Sequence, residues 1–321
     1  MKLLVAGAES LDDVPGLDAA TDFAEIHFAP DDNALATGLP GSEILLGWDF
    51  SGCNLGDHWH LADSLRWIHW CGAGVDRLLF PGLTSSDVLV TNARGIFDRA
   101  MAETVLGYML AEAKRFRESW DLQKSHSWLY RRSDRLLGQH ALVVGVGSIG
   151  HAVGELLQAV GVRVQGVGRT AREDDPVFGR IHDMADLNRL SAEQDWVIGV
   201  LPSTASTRDV FDAEFFAALS PRARFINIGR GDAVAEDALQ QALQSGAIAG
   251  AMLDVFKQEP LPEKNPLWDT PNLFVSPHIS GDYHSFPRDM VEMFLEHLSR
   301  DRSGDALATR GDKVQGYAAR E

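Results

Sequence analysis

Arg230, Glu259 and His278, all in the second half of the chain, bring together an anion-binding fork, a carboxylate and a titratable imidazole. Each follows an apolar, strand-like run. FINIGRG puts Arg230 after Phe225–Ile228, AMLDVFKQEPLP puts Glu259 a few residues past Met252–Phe256, and LFVSPHIS puts His278 after Leu273–Val275. A guanidinium can fork across a carboxylate, and an imidazole can give or take a proton near neutral pH. A carboxylate beside the ring favours its charged form. In an open α/β sheet, ligands bind in the crevice outside the carboxyl ends of the strands, where such residues converge. The set could hold a small anion and move a proton.

The elements that must position these residues can be read from apolar periodicity. In the first hundred residues, strand candidates are Leu3–Ala6, Glu25–Phe28, Ile44–Trp48, Trp67–Trp70 and Val88–Val90, separated by helix-compatible stretches. That alternation predicts βαβ units and a parallel sheet. Arg99–Arg117 reads as one long helix, with Val105, Leu106, Met109 and Leu110 at helical spacing and no Gly or Pro stop near its end. Such a helix suits a connection between domains. From Ala141 the alternation resumes with ALVV, Val162–Val167, Trp196–Leu201, Phe225–Ile228, Ala251–Val255 and Leu273–Val275. Asp289–Ser299 reads as an amphipathic helix returning to the first domain, and the polar tail Asp301–Glu321 is expected to wrap or fray. The expected organisation is one domain over 1–98 and 283–321 and a second over 99–282.

Bulk composition bounds the function. A length of 321 residues suits two domains, and 45% hydrophobic with 23% charged residues fits a globular protein. The formal charge of 29 − 46 = −17 argues against sequence-independent binding to nucleic acid or to an acidic membrane surface. An anionic ligand must then be held by local arginines. Plain solubility and a salt-rich habitat both account for the acidity. Cys53 and Cys71 have no metal-ligand spacing and form no disulfide framework, and His58 and His60 at i, i+2 carry no metal assignment. MKLLVAGAES reads as a first strand, not a signal peptide, and no run approaches the roughly 18 apolar residues of a membrane span. A cytoplasmic protein is expected.

Gly145, Gly147 and Gly150 form G-x-G-x-x-G between an apolar strand and an apolar-striped helix that Ser148 and Ile149 begin. The first glycine permits the tight turn, the second admits a pyrophosphate, and the third lets helix and strand pack closely. The helix N-terminus adds N–H donors and the positive end of its dipole. NAD sites place Asp or Glu at the end of the second strand to meet the ribose 2′-hydroxyl. Here that position is Gly168, followed by Arg169, Thr170 and Arg172, with no carboxylate before Glu173. A guanidinium there would pair with a 2′-phosphate, so NADP is favoured over NAD. The alternative is a solvated loop whose arginines bind nothing.

GVGSIG, LPSTASTR, INIGRG, DVFKQEPLP and SPHIS, in this order and spacing, resemble the D-2-hydroxyacid dehydrogenase family, and WCGAGVD resembles that family's substrate loop. The similarity runs from about Leu65 to Gly281 and is nearest to the NADP-preferring glyoxylate and hydroxypyruvate reductases. It implies an α/β protein with a Rossmann dinucleotide-binding domain and a flavodoxin-like substrate domain, both built on parallel sheets. It further implies interconversion of small 2-keto acids and D-2-hydroxy acids. In that chemistry His278 is the proton carrier, Glu259 its tuner and Arg230 the substrate anchor. Gly72, Ala73 and Gly74 would offer backbone N–H groups to the substrate carboxylate. Asp254 would meet the nicotinamide carboxamide, and Pro202, Ser203 and Thr207 would lie in the turn that passes the cofactor. Trp128, on an arm after the long helix, would reach a neighbouring subunit's pocket in a homodimer; simple core or dimer packing is the alternative. Trp48, Trp67 and Trp70, near Cys71, are expected to form an aromatic wall that reshapes the pocket. Phosphite or formate oxidation on the same scaffold is a further reading, although formate enzymes carry Gln-Pro where this chain has Glu259-Pro260. A dinucleotide-sensing, corepressor-like interaction protein is the alternative of a different class.

Overall fold

A computed structural model describes residues 1–49, 54–75, 78–313 and 317–318. Cys53 and Asp76 lie outside the described residues. The chain divides into two compact units, Met1–Phe97 with Tyr283–Glu321, and Asp98–Asp282.

The first unit is built on β1 (Lys2–Ala6), β2 (Glu25–Ala29), β3 (Ile44–Gly47), β4 (Trp67–Trp70) and β5 (Leu89–Asn92). All pair in parallel, in the order β2-β1-β3-β4-β5. That is the flavodoxin-like order. The inner strands ILLG and WIHW are buried along their whole length, as a sheet covered on both faces requires. The helix Phe286–Ser303 belongs to this unit and stacks Phe294 on Trp67 at 5.5 Å between ring centroids. Gly304 then ends the helix in the left-handed conformation. Beyond it the tail wraps: Thr309 bonds the Asn92 carbonyl, and Lys313 Nζ donates to the carbonyls of Leu83, Ser86 and Val88.

The second unit carries β6 (His140–Val144), β7 (Arg163–Gly168), β8 (Arg172–Asp175), β9 (Gly179–Asp183), β10 (Trp196–Gly199), β11 (Arg224–Asn227), β12 (Gly250–Leu253) and β13 (Leu273–Val275). Their order is β13-β12-β11-β10-β6-β7-β9-β8. All pairs are parallel except the β8–β9 edge hairpin. Strand order reverses between β6 and β10, the switch point at which a doubly wound sheet binds its ligand. Phe211, Phe215, Phe216 and Phe225 meet edge to face in the core beneath, with centroids 4.8–5.9 Å apart. Such pairs add about 0.5–1.5 kcal/mol each beyond area burial.

One expectation needs correction. The long helix over Arg99–Arg117 is in fact two helices, Asp98–Ala113 and Phe116–Lys124. Arg115 between them adopts φ +57°, a left-handed break that needed neither Gly nor Pro. The segment after β7, to which no strand was assigned from sequence, turns back as the β8–β9 hairpin.

Candidate active site

Arg230, Glu259 and His278 follow β11, β12 and β13, which are neighbours in the sheet. The GRG of β11 is set by close backbone approach. A Cβ on Gly229 would stand 2.6 Å from the backbone N and O of Leu201, and one on Gly231 would stand 2.0 Å from the carbonyl carbon of Phe256. Arg230 is thereby threaded between the segment after β10 and the segment after β12. Buried Asn227 fixes the same turn: its Nδ2 donates to the Arg230 carbonyl at 3.0 Å, and its Oδ1 accepts from Gly229 N at 3.2 Å. Arg230 Nη1 bonds the Gly229 carbonyl at 2.9 Å.

The same contacts lead on to the imidazole. The N–H of Phe256 donates to Glu259 Oε1 at 3.0 Å, and Glu259 Oε2 lies 2.8 Å from His278 Nδ1. An ionised carboxylate only accepts, so Nδ1 carries a hydrogen and Nε2 is left for chemistry. The imidazole is 34% exposed and the carboxylate 19%, open enough for a ligand yet sheltered from full solvation. His278 itself has φ +57°, a region that costs a non-glycine residue energy, although His tolerates it better than most. Asp254 supports that turn, its two oxygens accepting from the N–H groups of Ile279 and Ser280, each at 3.0 Å. It is fully buried, and its carboxylate holds the histidine turn.

The glycine turn lies at the switch point. Gly145 has φ +106°, and a Cβ there would stand 2.4 Å from the Val200 carbonyl oxygen at the end of β10. A Cβ on Gly150 would stand 2.0 Å from the Gly145 oxygen, whereas one on Gly147 would meet nothing within 4 Å. Space for a pyrophosphate is thus left at the middle glycine alone. The helix Ser148–Ala159 starts there with no side-chain cap, so its first N–H groups face that space. These features fit a dinucleotide. Ser148 Oγ turns to Asp98 at 3.3 Å, and Ile149 is half-buried in the first helical turn. Arg169 and Thr170 are exposed after β7, and Arg172 Nη2 pairs with Asp175 at 2.9 Å. In the turn after β10, Thr207 Oγ1 closes on the Pro202 carbonyl at 2.6 Å, and Ser203 Oγ donates to Asp232 at 2.8 Å. Those two hydroxyls shape the loop.

In the first unit, the carbonyls of Gly72 and Ala73 are tied back by Ala93 N at 3.1 Å and by Asn92 Nδ2 at 2.5 Å. Among the described residues, the N–H groups of Gly72, Ala73 and Gly74 have no acceptor. The expected aromatic wall is corrected. Trp67 and Trp70 lie on a central strand and are buried in the core, with Trp67 Nε1 bonded to Thr91 at 2.9 Å. Cys71 is buried too, and burial pushes its thiol up, which leaves it inert. Trp128 is fully exposed, with Leu129 and Tyr130 also in solvent.

Sequence reading missed Asn227, Asp232 and the pair His151–Asp175. Asn227 carries a signal, being a polar residue inside the apolar run FINI. The others depend on contacts between distant segments.

A switch-point glycine turn beside a histidine–carboxylate pair and an arginine defines an oxidoreductase that uses a nicotinamide dinucleotide. The model of the D-isomer specific 2-hydroxyacid dehydrogenase NAD-binding domain matches residues 106–280. Glyoxylate/hydroxypyruvate reductase B of Pectobacterium carotovorum is 34% identical over 252 residues, covering 76% of this chain and 78% of that protein. The solved NADPH-dependent glyoxylate/hydroxypyruvate reductase of Sinorhizobium meliloti, in complex with NADP and sulfate, is 30% identical with a TM-score of 0.86. That match covers 98% of this chain and 99% of the other. A D-isomer specific 2-hydroxyacid dehydrogenase from Xanthobacter autotrophicus, solved with NADPH and MES, is 29% identical with a TM-score of 0.83 over 98% and 99% of the two chains. This chain belongs to the D-isomer specific 2-hydroxyacid dehydrogenase family. None of its described helices is long and apolar enough to cross a membrane.

Proposed function

We propose that the protein is an NADPH-dependent reductase of small 2-keto acids, reversible toward the matching D-2-hydroxy acids. The observation that carries this reading is the His278–Glu259 pair at 2.8 Å, with Arg230 on the adjoining strand end and the glycine turn in the same sheet. The bound dinucleotide supplies the hydride. Arg230 grips the substrate carboxylate and polarises the ketone oxygen. His278 Nε2 delivers the proton to that oxygen, and Glu259 stabilises the imidazolium and holds the ring. In the reverse direction the neutral ring takes the proton back. The N–H groups of Gly72, Ala73 and Gly74 are proposed as donors suited to a carboxylate.

NADP is preferred because the position that would carry an acid in an NAD site is Gly168, with Arg169 next to it. The names of the relatives support glyoxylate and hydroxypyruvate as the substrate class. We further propose a cytoplasmic homodimer. Trp128, Tyr130 and Trp120 are 101%, 85% and 61% exposed, and a second copy of the arm would cover this aromatic surface. Trp128→Asp is expected to shift the dimer to monomer in sedimentation velocity.

The direct test is consumption of NADPH and of NADH with glyoxylate, hydroxypyruvate, pyruvate and longer 2-keto acids. Turnover of the small acids with NADPH is expected. Tight NADPH binding with no acid turned over would overturn the reading and leave a dinucleotide-sensing protein.

A further inference from the structure

His151 sits in the first turn of the helix that the glycine turn opens, and both its ring nitrogens face acceptors. Nδ1 is 2.8 Å from the Gly147 carbonyl oxygen, and Nε2 is 3.1 Å from each oxygen of Asp175. A neutral imidazole has one N–H and one lone pair, so it satisfies only one of these partners. A ring that donates to both is an imidazolium. Asp175 is suited to hold it, its side chain being 2% exposed. Burial would raise this carboxyl, but the Phe178 N–H, the His151 ring and the Val177 N–H together hold it down at about 2. It therefore remains an anion across the neutral range.

Asp175 is also where the β8–β9 hairpin is fastened. It accepts from Val177 N at 3.2 Å and Phe178 N at 3.1 Å, and it pairs with Arg172 at 2.9 Å. Val177 and Phe178 at the hairpin tip pack where a Cβ on Gly154 of the helix would stand, at 2.8 and 2.9 Å. Phe178 also meets the His151 ring edge to face at 5.3 Å. The charged groups around this ring are Asp175 and Arg172 from the hairpin and Glu155 one helical turn further on.

We infer that His151 is a specificity-positioning residue whose charged ring, through Asp175, bolts the arm bearing Arg169, Thr170 and Arg172 to the pyrophosphate turn. The arm is then set for a 2′-phosphate before the dinucleotide arrives. The inference rests on the NADP preference proposed above.

The test measures NADPH and NADH dissociation constants for the full chain and for His151→Gln and Asp175→Asn. It adds the ring ¹⁵N shifts of His151 in the wild type. His151→Gln keeps a donor without the charge and sits on the surface of a folded helix, so it carries the test if Asp175→Asn fails to fold. Wild type is expected to prefer NADPH and to show both ring nitrogens of His151 as donors. His151→Gln should cut the NADPH-over-NADH ratio about tenfold, the scale of one charge-assisted hydrogen bond. An unchanged ratio, equal weakening of both cofactors, or a neutral His151 ring would overturn the inference while leaving NADP preference standing. Equal wild-type affinity for both dinucleotides would remove the preference and the inference with it.

Discussion

Two histidine pairings show how differently this chain sets an imidazole. His278, after β13, has a carboxylate at 2.8 Å on one nitrogen and is a third exposed. His69, on β4, is fully buried, with Thr91 Oγ1 at 2.8 Å on Nδ1 and no partner for Nε2. Its ring neighbour is another histidine, His297, at 5.3 Å between centroids, whose Nδ1 is also without a partner. Burial pushes His69 down to about 3, and His297 adds in the same direction. Burial likewise lowers His297. A strand position thus yields a proton carrier only where the fold supplies a counter-charge and access. Without them the imidazole is a neutral core residue.

The largest expected effect comes from removing the carrier. His278→Ala should lower turnover about a thousandfold, within the range for general acid–base groups, and leave the NADPH dissociation constant nearly unchanged. Loss of cofactor affinity in that variant would show that His278 serves binding instead. Glu259→Gln keeps the shape but removes the charge. It should cost turnover roughly 10- to 100-fold, from ~1.5–3 kcal/mol for a hydrogen bond to a charged group.

The smallest effect lies at the buried pair and concerns stability. The folded-state value of His69 is below the ordinary imidazole value of 6.5, so the unfolded chain binds the proton first as pH falls. The stability contribution is complete above that value and is lost below it at about 1.4 kcal/mol per pH unit, until the ring titrates in the folded state. Urea midpoints at pH 7.5 and 5.5 should fall apart in the wild type and draw closer in His69→Leu. Equal midpoints in the wild type would break the contrast.

What was legible in the sequence followed from apolar continuity. WIHW was bounded to the residue because a strand buried on both faces reads as an uninterrupted run, and the edge strand LFV because its three apolar residues stand between Asn272 and Ser276. The glycine turn was legible because three backbone approaches each exclude a Cβ or leave room for a ligand. The β8–β9 hairpin was not, since REDD and GRIHD carry almost no apolar signal and are held by Asp175 and by Phe178 packing on another element. The break at Arg115 was hidden because its left-handed residue is not glycine. At the site, residue type pointed to the side chains proposed for the chemistry, but not to those that hold them. Asp254 was read as a cofactor contact, and residue type did not show that its carboxylate also holds the histidine turn through the N–H groups of Ile279 and Ser280.

The central claim is that Glu259 acts on the reaction through His278, as one unit with it. A double-mutant cycle on turnover tests this directly, using wild type, His278→Ala, Glu259→Gln and the double variant. Glu259→Gln should slow the wild type by one to two powers of ten, yet cost almost nothing further once His278 is alanine. Losses that multiply in the double variant would contradict the account, because Glu259 would then act on the reaction independently of the imidazole.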